Sequence, residues 1–241
     1  MHDFQRIIAN NRRWAAEAKA ADPAYFAAMA QGQDPTFLYI GCADSRVPAE
    51  VMTGLGPGEL FVHRNIANVV LPSDLSAMSV LEYAIEVLDV KHVLVTGHYG
   101  CGGVRAAMGT HSYGLVDHWL GPIRNVVRWH RAELDAIADE RARFDRVVEL
   151  NVLEQLYHLS ETPVLRRAWG RGRRPMVHGL VYDVREGLLR EIATDVGSQE
   201  DVDRLGIRRL AGPPARATVP AYDENLAEQI AERVAARLAD H

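Results

Sequence analysis

The sequence predicts an α/β protein: a mostly parallel central sheet with an antiparallel edge strand, flanking helices and an amino-terminal helical arm. Three observations carry that expectation. The apolar runs Phe37-Leu38-Tyr39-Ile40 and His92-Val93-Leu94-Val95-Thr96-Gly97 read as buried strands. Stretches with helical spacing separate the strand-like runs, and such alternation implies right-handed crossovers and parallel pairing. Late in the chain, residues 176–184 and 188–196 flank Arg185-Glu186-Gly187, a strand–turn–strand pattern suited to an antiparallel edge.

Taken in order, residues 3–31 have helical character. Phe4, Ile7, Ile8, Trp14 and Ala15 share one face, and a second short helix follows Asp22-Pro23. The core begins at Pro35 with the first strand. Pro48-Ala49-Glu50-Val51-Met52 suggests a short helix opening on proline, and Gly54, Gly56, Pro57 and Gly58 mark a turn. A second strand over 59–65 follows, then a helix start at Pro72-Ser73-Asp74 with Ser73 or Asp74 as cap. That helix carries Leu75, Met78, Leu81, Ile85 and Leu88 on one side and Val80, Ala84 and Val87 on another, which predicts a position between two layers. After the strand at 92–97 come a helix over 104–108 and a mostly helical stretch over 115–160, interrupted at Gly121-Pro122. From Gly197 the pattern loosens into a linker, and a last helix carries Leu226, Ile230, Val234 and Leu238 on one stripe. The expected organisation is an arm over 1–34 packing on a partner subunit, a core over 35–196, and a linker with a carboxyl-terminal helix over 197–241.

Composition narrows the function classes. The 241 residues are 48% hydrophobic and 24% charged, as in ordinary globular proteins, and a net charge of −5 argues against a nucleic-acid partner. The arginine-rich stretch 166–174 therefore reads as a solvated or subunit-facing surface. No apolar run approaches the roughly 18 residues of a membrane span. The opening Met1-His2-Asp3-Phe4-Gln5-Arg6 lacks a basic-then-apolar signal layout, so a cytoplasmic location is expected.

The chemistry concentrates where two strands end. Cys42, Asp44 and Arg46 follow the first strand; His98 and Cys101 follow the strand at 92–97. In an open parallel sheet, ligands bind beyond the carboxyl ends of the strands. Two thiolates and an imidazole suit zinc, and three protein ligands with one exchangeable position is the arrangement of a catalytic zinc. Such a site is formally neutral and acidifies water less than a tris-histidine site, so an orienting acceptor beside the water would help. Asp44 can serve, held off the metal by a bidentate pair with Arg46; swinging onto zinc, it would close the site.

Other readings exist for each piece. Singly, each cysteine is a small buried hydrophobe and Asp44–Arg46 a surface pair. A Cys42–Cys101 redox pair leaves His98, Asp44 and Arg46 idle. A phosphate cradle at Gly100-x-Gly102 meets Arg105 where the dinucleotide fingerprint wants glycine.

At these positions the chain closely resembles the β-class carbonic anhydrases. The matches are Cys42-x-Asp44-Ser45-Arg46, the run Gly58-Glu59-Leu60-Phe61-Val62-His63-Arg64-Asn65-Ile66-Ala67-Asn68, and His98-Tyr99-Gly100-Cys101-Gly102-Gly103. The resemblance implies reversible hydration of carbon dioxide to bicarbonate by a zinc-bound hydroxide, one zinc per chain on Cys42, His98 and Cys101, and an Asp44–Arg46 dyad. It implies a homodimer or homotetramer, and a carbon dioxide pocket lined by Ile66, Tyr83, Val87 and Gly102. A bicarbonate-regulated subgroup closes Asp44 onto zinc through a pocket that corresponds here to Tyr39, Arg64 and Tyr182. Tyr39 departs from that pattern, where the subgroup carries tryptophan, so an altered switch is expected. Readings from other classes are a non-catalytic zinc or bicarbonate-binding protein with Asp44 on the metal, and a related hydrolase of carbonyl sulfide or carbon disulfide.

Overall fold

The computed structural model describes residues 3–172 and 174–206. Five strands form one sheet: β1 (Phe37–Cys42), β2 (Leu60–Asn65), β3 (His92–His98), β4 (Met176–Asp183) and β5 (Leu188–Val196). Their order is β2-β1-β3-β4-β5, parallel except for the β4–β5 pair. The chain runs from β1 to β2 on one side and returns to β3 on the other. The strand order therefore reverses between β1 and β3, where an open sheet parts its crossovers and leaves a crevice. Gly41 is level with Thr96 in that pairing, so Cys42 and His98 both reach the crevice.

Eleven helices surround the sheet among the described residues. The longest, α9 (Glu140–Ser160), lies against one sheet face. Its contact is close because two strand positions lack side chains: a Cβ at Gly97 would lie 2.7 Å from Val152, and one at Gly179 2.9 Å from the same residue. Leu38, Ile40, Val93, Val95, Val177 and Val181 fill this layer with Val148, Val152 and Leu156. The other face carries a smaller cluster around Tyr39, Ala49 and Leu94.

The helix expected after Pro72 forms, with the Asp74 side chain accepting from the Ser76 N–H. Among the described residues it is not sandwiched between two layers. Helix α4 (Leu75–Glu82) passes into a π-turn, Tyr83–Val87, closed by Leu88 N–H on the Tyr83 carbonyl. Ala77 and Leu81 of α4 and Ala84 and Ile85 of the turn are buried, while Leu75 and Val87 are 79% and 61% exposed.

The arm consists of α1 (Asp3–Ala21) and α2 (Tyr25–Met29), joined by Trp14 packing edge-on against Tyr25 and Phe26. No residue of α1 is buried, and Phe4 and Ile7 are 71% and 60% exposed. The first residues of the stretch expected to be a linker are helical. Ser198 caps a further helix, α11 (Gln199–Arg204), whose Val202 is buried and which packs on α9. The signal was Ser198 three residues before Asp201: the Asp201 N–H donates to Ser198 Oγ, whose hydroxyl donates to the Asp201 carboxylate. The stripe Leu226, Ile230, Val234 and Leu238 lies outside the described residues. In the arginine-rich stretch, Arg166, Arg167 and Arg171 pair with Glu161, Glu82 and Glu86, as a solvated surface would.

Candidate metal centre

Each ligand candidate ends a strand or opens a helix. Cys42 is the last residue of β1, His98 the last of β3, and Cys101 caps α5 (Gly102–Met108). All three are buried, and their Sγ and ring-nitrogen atoms lie within 4.8 Å of one another. The sulfurs are 3.9 Å apart, far beyond a disulfide, whereas two thiolates on a tetrahedral zinc stand about 3.8 Å apart. His98 Nδ1 faces the Tyr99 carbonyl at 3.2 Å, which can only accept, so this nitrogen carries the proton. That leaves Nε2 as a lone-pair donor, buried and without a protein partner. An orphaned imidazole nitrogen beside two sulfurs fits zinc on both geometry and donor type.

The charge state of the pair supports this. Cys42 is pulled well below the usual thiol range, chiefly by a hydrogen bond from Cys101, while that bond and burial push Cys101 up. Without metal, the two sulfurs therefore hold one proton between them. A divalent cation would replace it and stabilise both thiolates.

Asp44 is held beside this cluster. Its carboxylate accepts from Arg46 Nε at 3.0 Å, Arg46 Nη2 at 2.8 Å and the Arg46 N–H at 2.9 Å. These bonds keep its pKa far below the ordinary carboxylate value. Asp44 Oδ2 is 3.8 Å from His98 Nε2. The expected fourth group thus borders the candidate ligand cluster while tied to Arg46.

The remaining expected residues fall in two sets. Ile66, Tyr83 and Val87 are 43%, 46% and 61% exposed and do not by themselves enclose a dry pocket on one chain. Gly102 opens α5 beside Cys101. In the second set, Tyr39, Arg64 and Tyr182 share a sheet face, but on β1, β2 and β4. Tyr39 is fully buried with its ring over Gly41 and its hydroxyl unpartnered. Arg64 donates from Nε to the Cys42 carbonyl (2.9 Å) and from Nη2 to the Asp44 carbonyl (2.7 Å). It is exposed and bound to backbone carbonyls, not a buried ion pair.

The sequence reading missed the support behind Cys42. The Ala67 N–H points at Cys42 Sγ, 3.4 Å away, from a 3₁₀ turn, Ile66–Asn68, in which Ala67 and Asn68 have φ of +61° and +49°. Side chains hold that turn: Trp119 Nε1 donates to the Ile66 carbonyl and Asn151 Nδ2 to the Ala67 carbonyl. Gly103 lies underneath, where a Cβ would meet Ile66 at 2.9 Å and Ala67 at 3.0 Å. The one signal for Asn151 was an amide pair four residues apart, Asn151 and Gln155, on the buried stretch of α9.

Comparison with known proteins points the same way. The family model described as carbonic anhydrase matches residues 37–189. A carbonic anhydrase of Emericella nidulans is 48% identical over 205 residues, covering 85% of this chain and 89% of that protein. Among solved structures, a β-carbonic anhydrase of Coccomyxa in complex with acetazolamide superposes with a TM-score of 0.80 at 38% identity, covering 85% of this chain and 92% of that one. The tetrameric β-carbonic anhydrases of Sordaria macrospora give 0.75 at 40% identity, covering 79% and 97%.

Proposed function

Because this chain belongs to the carbonic anhydrase family, as a β-class zinc lyase, we propose that Cys42, His98 and Cys101 hold one zinc ion for reversible hydration of carbon dioxide to bicarbonate. The observation that carries the assignment is the buried, unpartnered His98 Nε2 facing two sulfurs 3.9 Å apart. Zinc, when bound, supplies a nucleophile near neutral pH by acidifying a water molecule. The protein's own groups do the rest. Arg46 fixes the Asp44 carboxylate through two side-chain bonds and keeps it ionised. An ionised Asp44 accepts a hydrogen bond from water beside His98 Nε2, orients it, and offers the first acceptor for the outgoing proton. Arg64 holds the Cys42 and Asp44 carbonyls and so fixes the ligand loop from the second sheet face.

The same contacts support a bicarbonate-linked closure. An anion that draws Arg64 from those carbonyls frees the segment carrying Asp44, which can then turn toward the metal. The bonds of Asp44 to Arg46 favour the catalytic reading over a permanently Asp44-ligated binding protein. We further assign the exposed apolar face of α1 to a homodimeric or homotetrameric contact, and Ile66, Tyr83 and Val87 to a carbon dioxide pocket completed there. No helix among the described residues is long and apolar enough to cross a membrane. Two free buried cysteines at the cluster suit a reducing compartment, and we assign the cytoplasm.

Zinc analysis with stopped-flow hydration from pH 6.5 to 9 tests the proposal. Cys42→Ser and His98→Ala should lose metal and turnover together, while Asp44→Asn keeps zinc and loses most turnover. Wild-type protein without zinc, or silent throughout that range, would overturn it.

A further inference from the structure

Beside the Asp44–Arg46 pair, on the side lined by Gly100, lies a cavity of about 210 Å³. Its charged lining is four arginines, Arg46, Arg105, Arg141 and Arg185, and one carboxylate, Asp145. Two of the guanidiniums are braced on aromatic faces: Arg105 lies 4.3 Å from the centre of the Phe144 ring and Arg185 5.7 Å from that of Tyr99. Arg185 is also fixed by a bidentate pair with Asp183, a fully buried carboxylate, and stands 3.8 Å from Asp145. Arg46 is fixed by Asp44. Among the described residues, neither Arg105 nor Arg141 makes an ion pair. On the lining itself four cations face one carboxylate, with Asp44 and Asp183 paired behind Arg46 and Arg185. Burial pushes the Asp145 carboxyl up despite Arg141.

We propose that this cavity binds a small oxyanion of the phosphate class and that the bound anion competes with Asp44 for Arg46. Guanidiniums reach the cavity from a loop (Arg46), two helices (Arg105, Arg141) and a turn (Arg185); Arg105 and Arg141, free of ion pairs among the described residues, offer planar donors that match tetrahedral oxygens. The volume lies below the roughly 300 Å³ where pockets for larger organic ligands begin, which selects a simple oxyanion over a nucleotide. Arg46 belongs to both the dyad and this wall, so it is the mechanical link. An anion that recruits its donors loosens the clamp on Asp44 and lowers turnover. The binding site stands on the geometry alone; its effect on turnover rests on the function proposed above.

The test uses the zinc-loaded full chain and inorganic phosphate at constant ionic strength. Phosphate binding is read by calorimetry and ³¹P line broadening, and turnover by stopped-flow hydration. Saturable binding is expected, with inhibition over the same concentration range. Arg105→Gln and Arg141→Gln lie outside the catalytic machinery; each should leave phosphate-free turnover unchanged and weaken both binding and inhibition about tenfold, the loss expected for one charge-assisted contact. No saturable binding, or equal affinity in wild type and both variants, overturns the site. Binding that depends on these arginines without inhibition overturns the link through Arg46. A protein inactive in hydration that still binds phosphate through Arg105 and Arg141 would sink the function and leave the site standing.

Discussion

Replacing Asn151 with alanine should damage the metal centre without touching a ligand. Asn151 is fully buried on α9 and joins two groups that have little alternative. Its Nδ2 donates to the Ala67 carbonyl at 3.1 Å, and its Oδ1 accepts from Gln155 Nε2 at 2.9 Å. Gln155 Oε1 in turn accepts from the Val70 N–H at 2.8 Å. Truncation strands a carbonyl and an amide away from solvent, each costing about 1–3 kcal/mol. Water entering the space of the lost amide recovers part of that, so a net loss of about 3 kcal/mol is expected. The turn itself then moves. Ala67 and Asn68 sit in the left-handed region, at about 1–2 kcal/mol each, and adopt it only while something holds them there. Once relaxed, the Ala67 N–H swings from Cys42 Sγ and the thiolate loses that backbone donor. Loss of such an outer contact typically weakens metal binding 10–100-fold. Urea denaturation of the metal-free protein isolates the first effect, since bound zinc would stabilise the folded state by mass action. Competition with a chelator reads the second. A stability change under about 1 kcal/mol together with unaltered zinc affinity would refute the reasoning.

Three further outcomes are expected. Gly103→Ala drives a methyl to 2.9 Å from Ile66 and 3.0 Å from Ala67, and should cost about 1–3 kcal/mol with a lowered zinc content, read by thermal melts and metal analysis. Tyr39→Phe removes a buried hydroxyl with no partner and should raise stability by about 1 kcal/mol in denaturant titration; a loss of that size would mean the hydroxyl is bonded in solution. Asp117 is held down to about 2 by the Ser112 hydroxyl first and then Arg124. Its contribution is thus complete above the unfolded value of 3.8 and fades as pH falls toward 2, so the gap in melting temperature between wild type and Asp117→Asn should narrow from pH 6 to pH 3 and vanish below the folded value.

The strands, and the gathering of Cys42, His98 and Cys101 at their ends, were legible because each strand end carries its own local signal. A run such as Phe37-Leu38-Tyr39-Ile40 declares a buried strand in four residues, and strand-end placement brought Cys42 and His98 together before any contact was seen. The π-turn at Tyr83–Val87 was not legible: it adds one residue to a continuous helical pattern and changes only which side faces inward. Nor was the role of Arg64, since an arginine's reach to the carbonyls of Cys42 and Asp44 depends on a strand pairing that no periodicity encodes. Helix α11 could have been read from its cap.

The turn Ile66–Asn68 shows why the site's support was harder to see than its ligands. Its sequence carries no glycine, although two of its residues take positive φ. The usual local signal for that conformation is therefore missing, and the cost falls on distant residues: Trp119 and Asn151 bond its carbonyls, while Gly103 gives it room from below. Three residues 36 to 84 positions away thus set the direction of one N–H beside Cys42 Sγ. Because Gly103 and Asn151 act on the same turn through contact and bonding, their effects should not add. Once either substitution has released the turn, the other has less left to disturb, and the double variant should bind zinc about as well as the weaker single one.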